Sequence, residues 1–285
     1  MILSMTGFGR SENVFEGKKI TIDLKSLNSK SFDLNIKMPF RYKEKEFEIR
    51  KILNDRILRG KVDCYITLEN LDDSFEATIN HDLVKNYMTE LQKIASDGPD
   101  FEYLKMAIRM PDTISTKSDD LSETEWLFLK SILENALTKF DEFRKTEGEI
   151  LHEELERNIN NIGQYLSQVE PFEDIRLDMI KEKYRKTLQE FDQIDETRFY
   201  QEMAYYTEKL DIAEEKVRLT QHLKYYTEVM DNETFNGKKL GFISQEIGRE
   251  INTLGSKANH ADIQRLVVMM KDDLEKIKEQ TLNVL

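Results

Sequence analysis

Apolar residues recur at every second position through much of the first seventy residues and at every third or fourth position after about residue 81. The chain therefore reads as strands first and helices afterwards. Ile20, Ile22 and Leu24 share one side of segment 19–26, and Phe32, Leu34, Ile36 and Met38 do the same in the next segment. Asn28-Ser29 between them predicts a turn, so the two segments are expected to pair as a hairpin, with Pro39 closing the second strand. Segment 41–58 carries a helical pattern that includes Phe47, Leu53 and Ile57, and Gly60 in Arg59-Gly60-Lys61 is expected as its C-terminal cap. Val62, Cys64, Ile66 and Leu68 predict a third alternating strand. Around Phe8, the glycines Gly7 and Gly9 fit an edge strand with Phe8 in the core, or a backbone that a ligand can approach closely with Phe8 as a stacking ring; the reading favours the core for Phe8 and phosphate binding for Arg10.

Loops are expected at 96–100 and 111–120, and nearly everything after Asp120 reads as helix. Pro171 and a turn over 231–237 are the interruptions. This predicts an α+β fold: a small α/β N-terminal domain over 1–155, then a long-helix, all-α C-terminal region over 156–285 that carries the candidate active site.

Three C-terminal segments share one design. In 240–257, Leu240, Ile243, Ile247, Ile251 and Leu254 form an apolar face, and Glu246, Glu250, Thr253 and Lys257 form a stripe about 90° away. In 211–226, Ile212, Leu219, Leu223 and Tyr226 form the face, with Asp211, Glu215, Arg218 and His222 beside it. The last helix, from about Ala261, places Ile263, Leu266, Met270, Leu274 and Ile277 toward the core, flanked by Lys271, Glu275 and Lys278. Glu246/Glu250 and Asp211/Glu215 are like-charge i,i+4 pairs, which destabilise a helix unless a cation lies between them. If the first two stripes face each other, Asp211, Glu215, His222, Glu246 and Glu250 converge as a donor set suited to Mn²⁺ or Mg²⁺. Arg218, Arg249 and Lys257 would then hold phosphate oxygens. A salt-bridge network such as Glu246–Arg249–Glu250 is the competing reading.

Composition narrows the classes. Net charge is −13, against general polyanion binding. Residues 1–70 nevertheless hold 14 Lys+Arg against 10 Asp+Glu, residues 71–230 hold 20 against 36, and residues 231–285 hold 8 against 9. The two ends are where a phosphate backbone meets least repulsion. No apolar run is long enough to span a membrane, and no secretory signal pattern opens the chain. The single cysteine, Cys64, is expected as a small core residue and fits a reducing cytoplasm. No zinc-protease, phosphate-loop or nucleophile-elbow motif competes.

In sequence order, Ser4-Met-Thr-Gly-Phe-Gly-Arg10, Ser26-Leu-Asn28, Arg59-Gly-Lys61, Thr146-Glu-Gly148, Asp211-Ile-Ala-Glu-Glu215 with Arg218, Leu219 and His222, and Gly237-Lys-Lys-Leu-Gly-Phe242 followed by Gln245–Ala258 resemble the YicC/YloC family of bacterial proteins from end to end. Lys271, Glu275, Lys276, Glu279, Gln280 and Asn283 complete the pattern. The resemblance implies a cytoplasmic, metal-dependent endoribonuclease, assembled as a homohexamer, with RNA held between the N-terminal part and the helices. The resemblance does not itself assign the acting residues; from the two stripes, Glu215, His222, Glu246, Glu250, Arg218, Arg249 and Lys257 are the candidate catalytic residues. Arg10, Lys30, Arg59, Lys61, Lys238 and Lys239 are the candidate RNA ligands. Two rivals stay open: a non-catalytic RNA-binding adaptor that delivers RNA to another nuclease, and a helical scaffold whose polar stripes are subunit contacts.

Overall fold

The computed structural model describes residues 2–29, 31–71, 77–116, 121–188 and 196–285. Gly7–Phe15 (β1) and Lys18–Leu27 (β2) form an antiparallel hairpin. Its two-residue turn, Glu16-Gly17, has φ of 47° and 75°, the positive pair that matches the twist of the flanking strands. Phe32–Lys37 (β3) does not return along β2, so the hairpin expected from 19–26 and 32–38 is absent. Gly60–Asn70 (β4) lies between them, antiparallel to β2 and parallel to β3, in the order β1-β2-β4-β3. Alternation fixes which side chains face inward but not which strands are neighbours. A parallel pair requires a crossover, here a 3-10 turn at Phe40–Lys45 and helix Glu46–Arg56 (α1).

The helix expected over 41–58 is thus split and shorter, and Gly60 does not cap it. The helix closes at Ile57, while Gly60 opens β4 at φ 123°, with the Leu27 carbonyl 3.2 Å from where a Cβ would stand. Ile20, Ile22, Leu24, Val62, Cys64 and Ile66 all point to one face of the sheet and are buried. Cys64 is a core residue, its thiol pushed up to about 12 by burial and then by Asp23. Phe8, by contrast, is not in the core. It is 41% exposed and points to the opposite face, because Gly7 and Gly9 occupy the inward register of β1. A Cβ on Gly9 would collide with the Ala136 carbonyl oxygen.

Ala77–Ile79 (β5), His81–Ile94 (α2), Asp100–Ala107 (α3) and Ile114–Thr116 (β6) form a small unit in which β5 and β6 pair antiparallel. The loop expected over 111–120 therefore contains a short strand.

Next comes a helix of 45 residues, Glu123–Ser167 (α4). Ser122 caps it, its hydroxyl accepting from the Glu125 amide at 3.1 Å. Its first half, through Phe140, covers the sheet with α1; its second half, from Leu151, joins the helical core. A boundary at 155/156 falls inside this one helix. Glu173–Leu188 (α5) and Glu196–Lys209 (α6) follow, then Ala213–Asn232 (α7), Gly237–Ala258 (α8) and Ala261–Thr281 (α9). The second half of α4 with α7, α8 and α9 makes a four-helix bundle in which neighbours in sequence pack as neighbours in space. The two ends of the chain meet beside it: the Met5 amide donates to the Asn283 carbonyl at 2.8 Å, and the Leu285 amide to the Leu3 carbonyl at 2.9 Å. Among the described residues no helix is long and apolar enough to cross a membrane.

Candidate functional site

The apolar faces read from periodicity are the buried faces of α7 and α8, so their polar stripes are fixed as flanks. Joined by a short turn, the two helices pack antiparallel, and Lys257 Nζ of α8 lies 2.8 Å from Glu215 Oε1 of α7. The seven-residue step from Glu215 to His222 matches the step from Lys257 back to Glu250. His222 and Glu250 therefore stand at one level of the seam, about 10 Å from the Glu215–Lys257 pair. Both glutamates are buried, Glu250 at 5% exposure, and neither is fully partnered. Glu215 Oε2 has no hydrogen-bond partner, and Glu250 has neither hydrogen bond nor ion pair among the described residues. A buried carboxylate oxygen without a donor costs roughly 1–3 kcal/mol or more. Glu215 Oε2 is such an oxygen, and folding gains nothing from keeping it.

The other stripe residues go elsewhere. Asp211 precedes α7 and accepts from the Ala213 amide at 2.9 Å. Glu246 pairs with Arg249 at 3.1 Å on the solvent side, and Arg218 pairs with Glu214. Among the described residues, no three His, Cys, Asp or Glu side chains gather as a metal site. Asp211, Glu215, His222, Glu246 and Glu250 are thus not one ligand set within the chain, and an ammonium group already occupies one oxygen of Glu215.

A second feature lies on the other flank of α8. A cleft of about 1040 Å³ runs between the sheet domain and α8/α9, lined by Asn28, Ser29, Arg59, Lys238, Gln245 and Lys278. Glu275 and Glu279 also line it, with Glu275 paired to Lys278 at 2.7 Å. At about 100° per residue, Gly241, Gln245 and Lys238 lie roughly 100–180° around α8 from Glu250 and Lys257. Gly248 and Gly255 face α9 on this flank, where Leu274 and Val267 pack against them. The exposed crest of α8, carrying Phe242 and Arg249, separates cleft from seam.

One residue the sequence reading passed over organises the cleft wall. Arg144 of α4 is 4% exposed and donates to the Met5 carbonyl at 3.0 Å, the Arg59 carbonyl at 3.2 Å and the Ser26 hydroxyl at 3.4 Å. Burial lowers its guanidinium to about 10, with Asp141 opposing. It fixes the backbone of Arg59, whose own Nε donates to the Ser29 carbonyl at 2.9 Å. An arginine on the apolar side of a long helix was the available signal.

The remaining candidate RNA ligands scatter. Arg10 is exposed on β1 and pairs with Glu12 at 3.2 Å and Asp23 at 3.7 Å. Lys61 is exposed on β4. Lys239 turns away from the cleft to Glu233 at 2.5 Å, over the Tyr225 ring. Lys30 lies outside the described residues.

Two family models match the chain. One described as "Endoribonuclease YicC-like, N-terminal region" matches residues 2–153, and one described as "Endoribonuclease YicC-like, C-terminal" matches residues 169–285. A protein of Clostridioides difficile (strain 630), named probable endoribonuclease YicC, is 31% identical over 294 residues, covering all of both chains. One of the same name from Haemophilus influenzae is 29% identical over 290 residues, again covering all of both.

Proposed function

Because this chain belongs to the YicC-like endoribonuclease family, we propose that it cleaves RNA phosphodiester bonds at the α7–α8 seam, with the RNA held in the cleft beside α8. The observation that carries this reading is the pair of buried glutamates on the two stripes, Glu215 with one oxygen unpartnered and Glu250 without hydrogen bond or ion pair among the described residues. Such groups are kept where a reaction uses them.

The roles follow from position. Arg59, Lys238 and Lys278 on the cleft take phosphate oxygens. Arg249, 72% exposed on the crest, takes the next phosphate as the strand passes over α8 toward the seam. A helix is about 10–12 Å across with its side chains, so only a short stretch of strand need cross it. At the seam, His222 and Glu250 are the level pair for proton transfer, one accepting the nucleophile's proton and the other returning one to the leaving oxygen. Arg218, one turn from His222, stabilises the charge that develops on phosphorus-bound oxygen.

The family resemblance brings Mn²⁺ or Mg²⁺ to this site. The described residues of one chain do not form its ligand set, so no step is routed through a metal here. Assembly as a homohexamer is kept as part of the same proposal, because a second copy is one source of further ligands.

The test is incubation of the purified protein with an end-labelled RNA hairpin, with Mn²⁺, with Mg²⁺ and with EDTA. Cleavage that disappears in Glu250→Gln supports the reading, and the product ends report whether water or the 2′-hydroxyl attacks. Binding without cleavage under every metal condition sinks it in favour of the adaptor.

A further inference from the structure

α1 and α4 cover one face of the four-stranded sheet; the other face carries a row of side chains that the cleft does not use. In register across β1, β2, β4 and β3, one row reads Phe8, Lys25, Asp63, Asn35 and the next reads Arg10, Asp23, Tyr65, Lys37. Phe8, Lys25, Asn35, Lys37 and Lys61 are exposed and Tyr65 is half-buried. Lys25 Nζ lies 5.8 Å from the Phe8 ring centre and Lys37 Nζ 5.3 Å from that of Tyr65.

The acids on this face are largely engaged. Glu12 holds Lys19 at 3.1 Å and Arg10, Asp23 faces Arg10, and the Asn35 amide donates to Asp63 at 2.8 Å. Asp33 lies opposite Lys61 in the β3–β4 register and Glu69 opposite Lys19 at the far end, neither within ion-pair distance. Lys25, Lys37 and Lys61 pair with no carboxylate among the described residues. Two aromatic rings and three ammonium groups without a carboxylate partner on an open sheet match the requirements of a single nucleic-acid strand, which needs flat rings for its bases and point charges for its phosphates. A protein partner is the poorer fit, since an interface centre needs contiguous apolar surface, and most of this face is charged or hydroxyl-bearing.

We infer that the open face of the β1-β2-β4-β3 sheet is a second RNA surface, on which Phe8 and Tyr65 stack bases of a single-stranded segment while Lys25 and Lys37 hold its phosphates. From strand spacing and rise, Phe8 and Tyr65 stand roughly 12 Å apart, a distance that serves two bases of one strand rather than one. The face runs into the cleft: Lys61 follows Arg59-Gly60, and Leu27 precedes Asn28 and Ser29 of the cleft wall. A strand leaving the cleft meets this surface next. The inference rests on the RNA reading above.

The test compares a blunt RNA hairpin with the same hairpin bearing a single-stranded uridine tail, by fluorescence anisotropy on the full chain without added metal. Phe8→Ala with Tyr65→Ala should lower affinity for the tailed RNA by about tenfold or more and leave the blunt hairpin unchanged. Tyr65→Phe keeps the ring and should keep the affinity. Lys25→Ala with Lys37→Ala should weaken tailed binding and flatten its salt dependence; it also decides the matter if the aromatic double variant fails to fold. Parental affinity of both double variants for the tailed RNA overturns this inference alone. So does a change of assembly mass in light scattering, which would make the face a contact between copies. A parent chain that binds neither RNA removes the RNA reading itself.

Discussion

Lys257 and Glu215 close the α7–α8 seam at 2.8 Å, with Glu215 almost fully buried and its second oxygen unpartnered. The pair is half structural clamp, half exposed chemistry. Lys257, about one-third exposed, is the one ion-pair partner of Glu215 among the described residues.

Lys257→Met should therefore destabilise the chain strongly, by about 3 kcal/mol, because it strands a buried carboxylate. Adding Glu215→Leu should recover most of that loss, since an apolar pair of similar size replaces the ions. Urea denaturation of the two variants checks both values. A double variant as unstable as the single one would show that the clamp is not electrostatic.

Glu250→Gln should lower RNA cleavage by on the order of 100-fold, the scale of a lost proton-transfer group. Its thermal midpoint should hold or rise, because a buried charge without a partner is removed. Glu246→Gln, on the solvent side and paired with Arg249, should cost far less activity. Equal losses in the two would move the active centre off the seam.

Gly9→Ala should cost about 1–3 kcal/mol as an overpacking substitution. The new methyl meets the backbone of α4 at Ala136 and Phe140, which cannot yield as a side chain does. Gly163→Ala, in open space on the same helix, is the control and should be neutral or stabilising. Calorimetry on both separates contact from helix propensity.

Acid should unfold the sheet domain partly through Glu125. Burial pushes its carboxyl up, but hydrogen bonds from Arg41 and Tyr42 prevail and hold it below its ordinary 4.5. A depressed folded value gives stability that is complete above the unfolded value and lost as pH falls below it. Glu125→Gln should be less stable than the parent at neutral pH and converge with it as pH falls below 4.5. Stability curves that stay parallel through the acid range would exclude this linkage.

Much of this was legible in the residues. Ile243, Ile247, Ile251 and Leu254, with Leu219, Leu223 and Tyr226, are buried as their period requires, because a 3.6-residue repeat leaves one face for the core. The glycines at 7 and 9 marked an edge strand, but the reason is a helix 127 residues later, where Ala136 approaches Gly9. That is why Phe8 was misplaced: nothing local says which side of β1 the helix covers. Lys238 and Lys239, adjacent in sequence, separate to the cleft and to Glu233, since successive helical positions point about 100° apart.

The sequence by itself determined the order of strands and helices, the inward face of each, and the family to which its motifs point, since these depend on local spacing and residue type. Only the tertiary structure decided that β4 separates β2 from β3, that Glu215 meets Lys257, that Arg144 holds the cleft wall through Met5 and Arg59, and that the α8 carboxylates and the basic cleft lie on opposite flanks of one helix. Each of these joins residues far apart in the chain. They follow from how whole faces pack, and no short-range pattern encodes that.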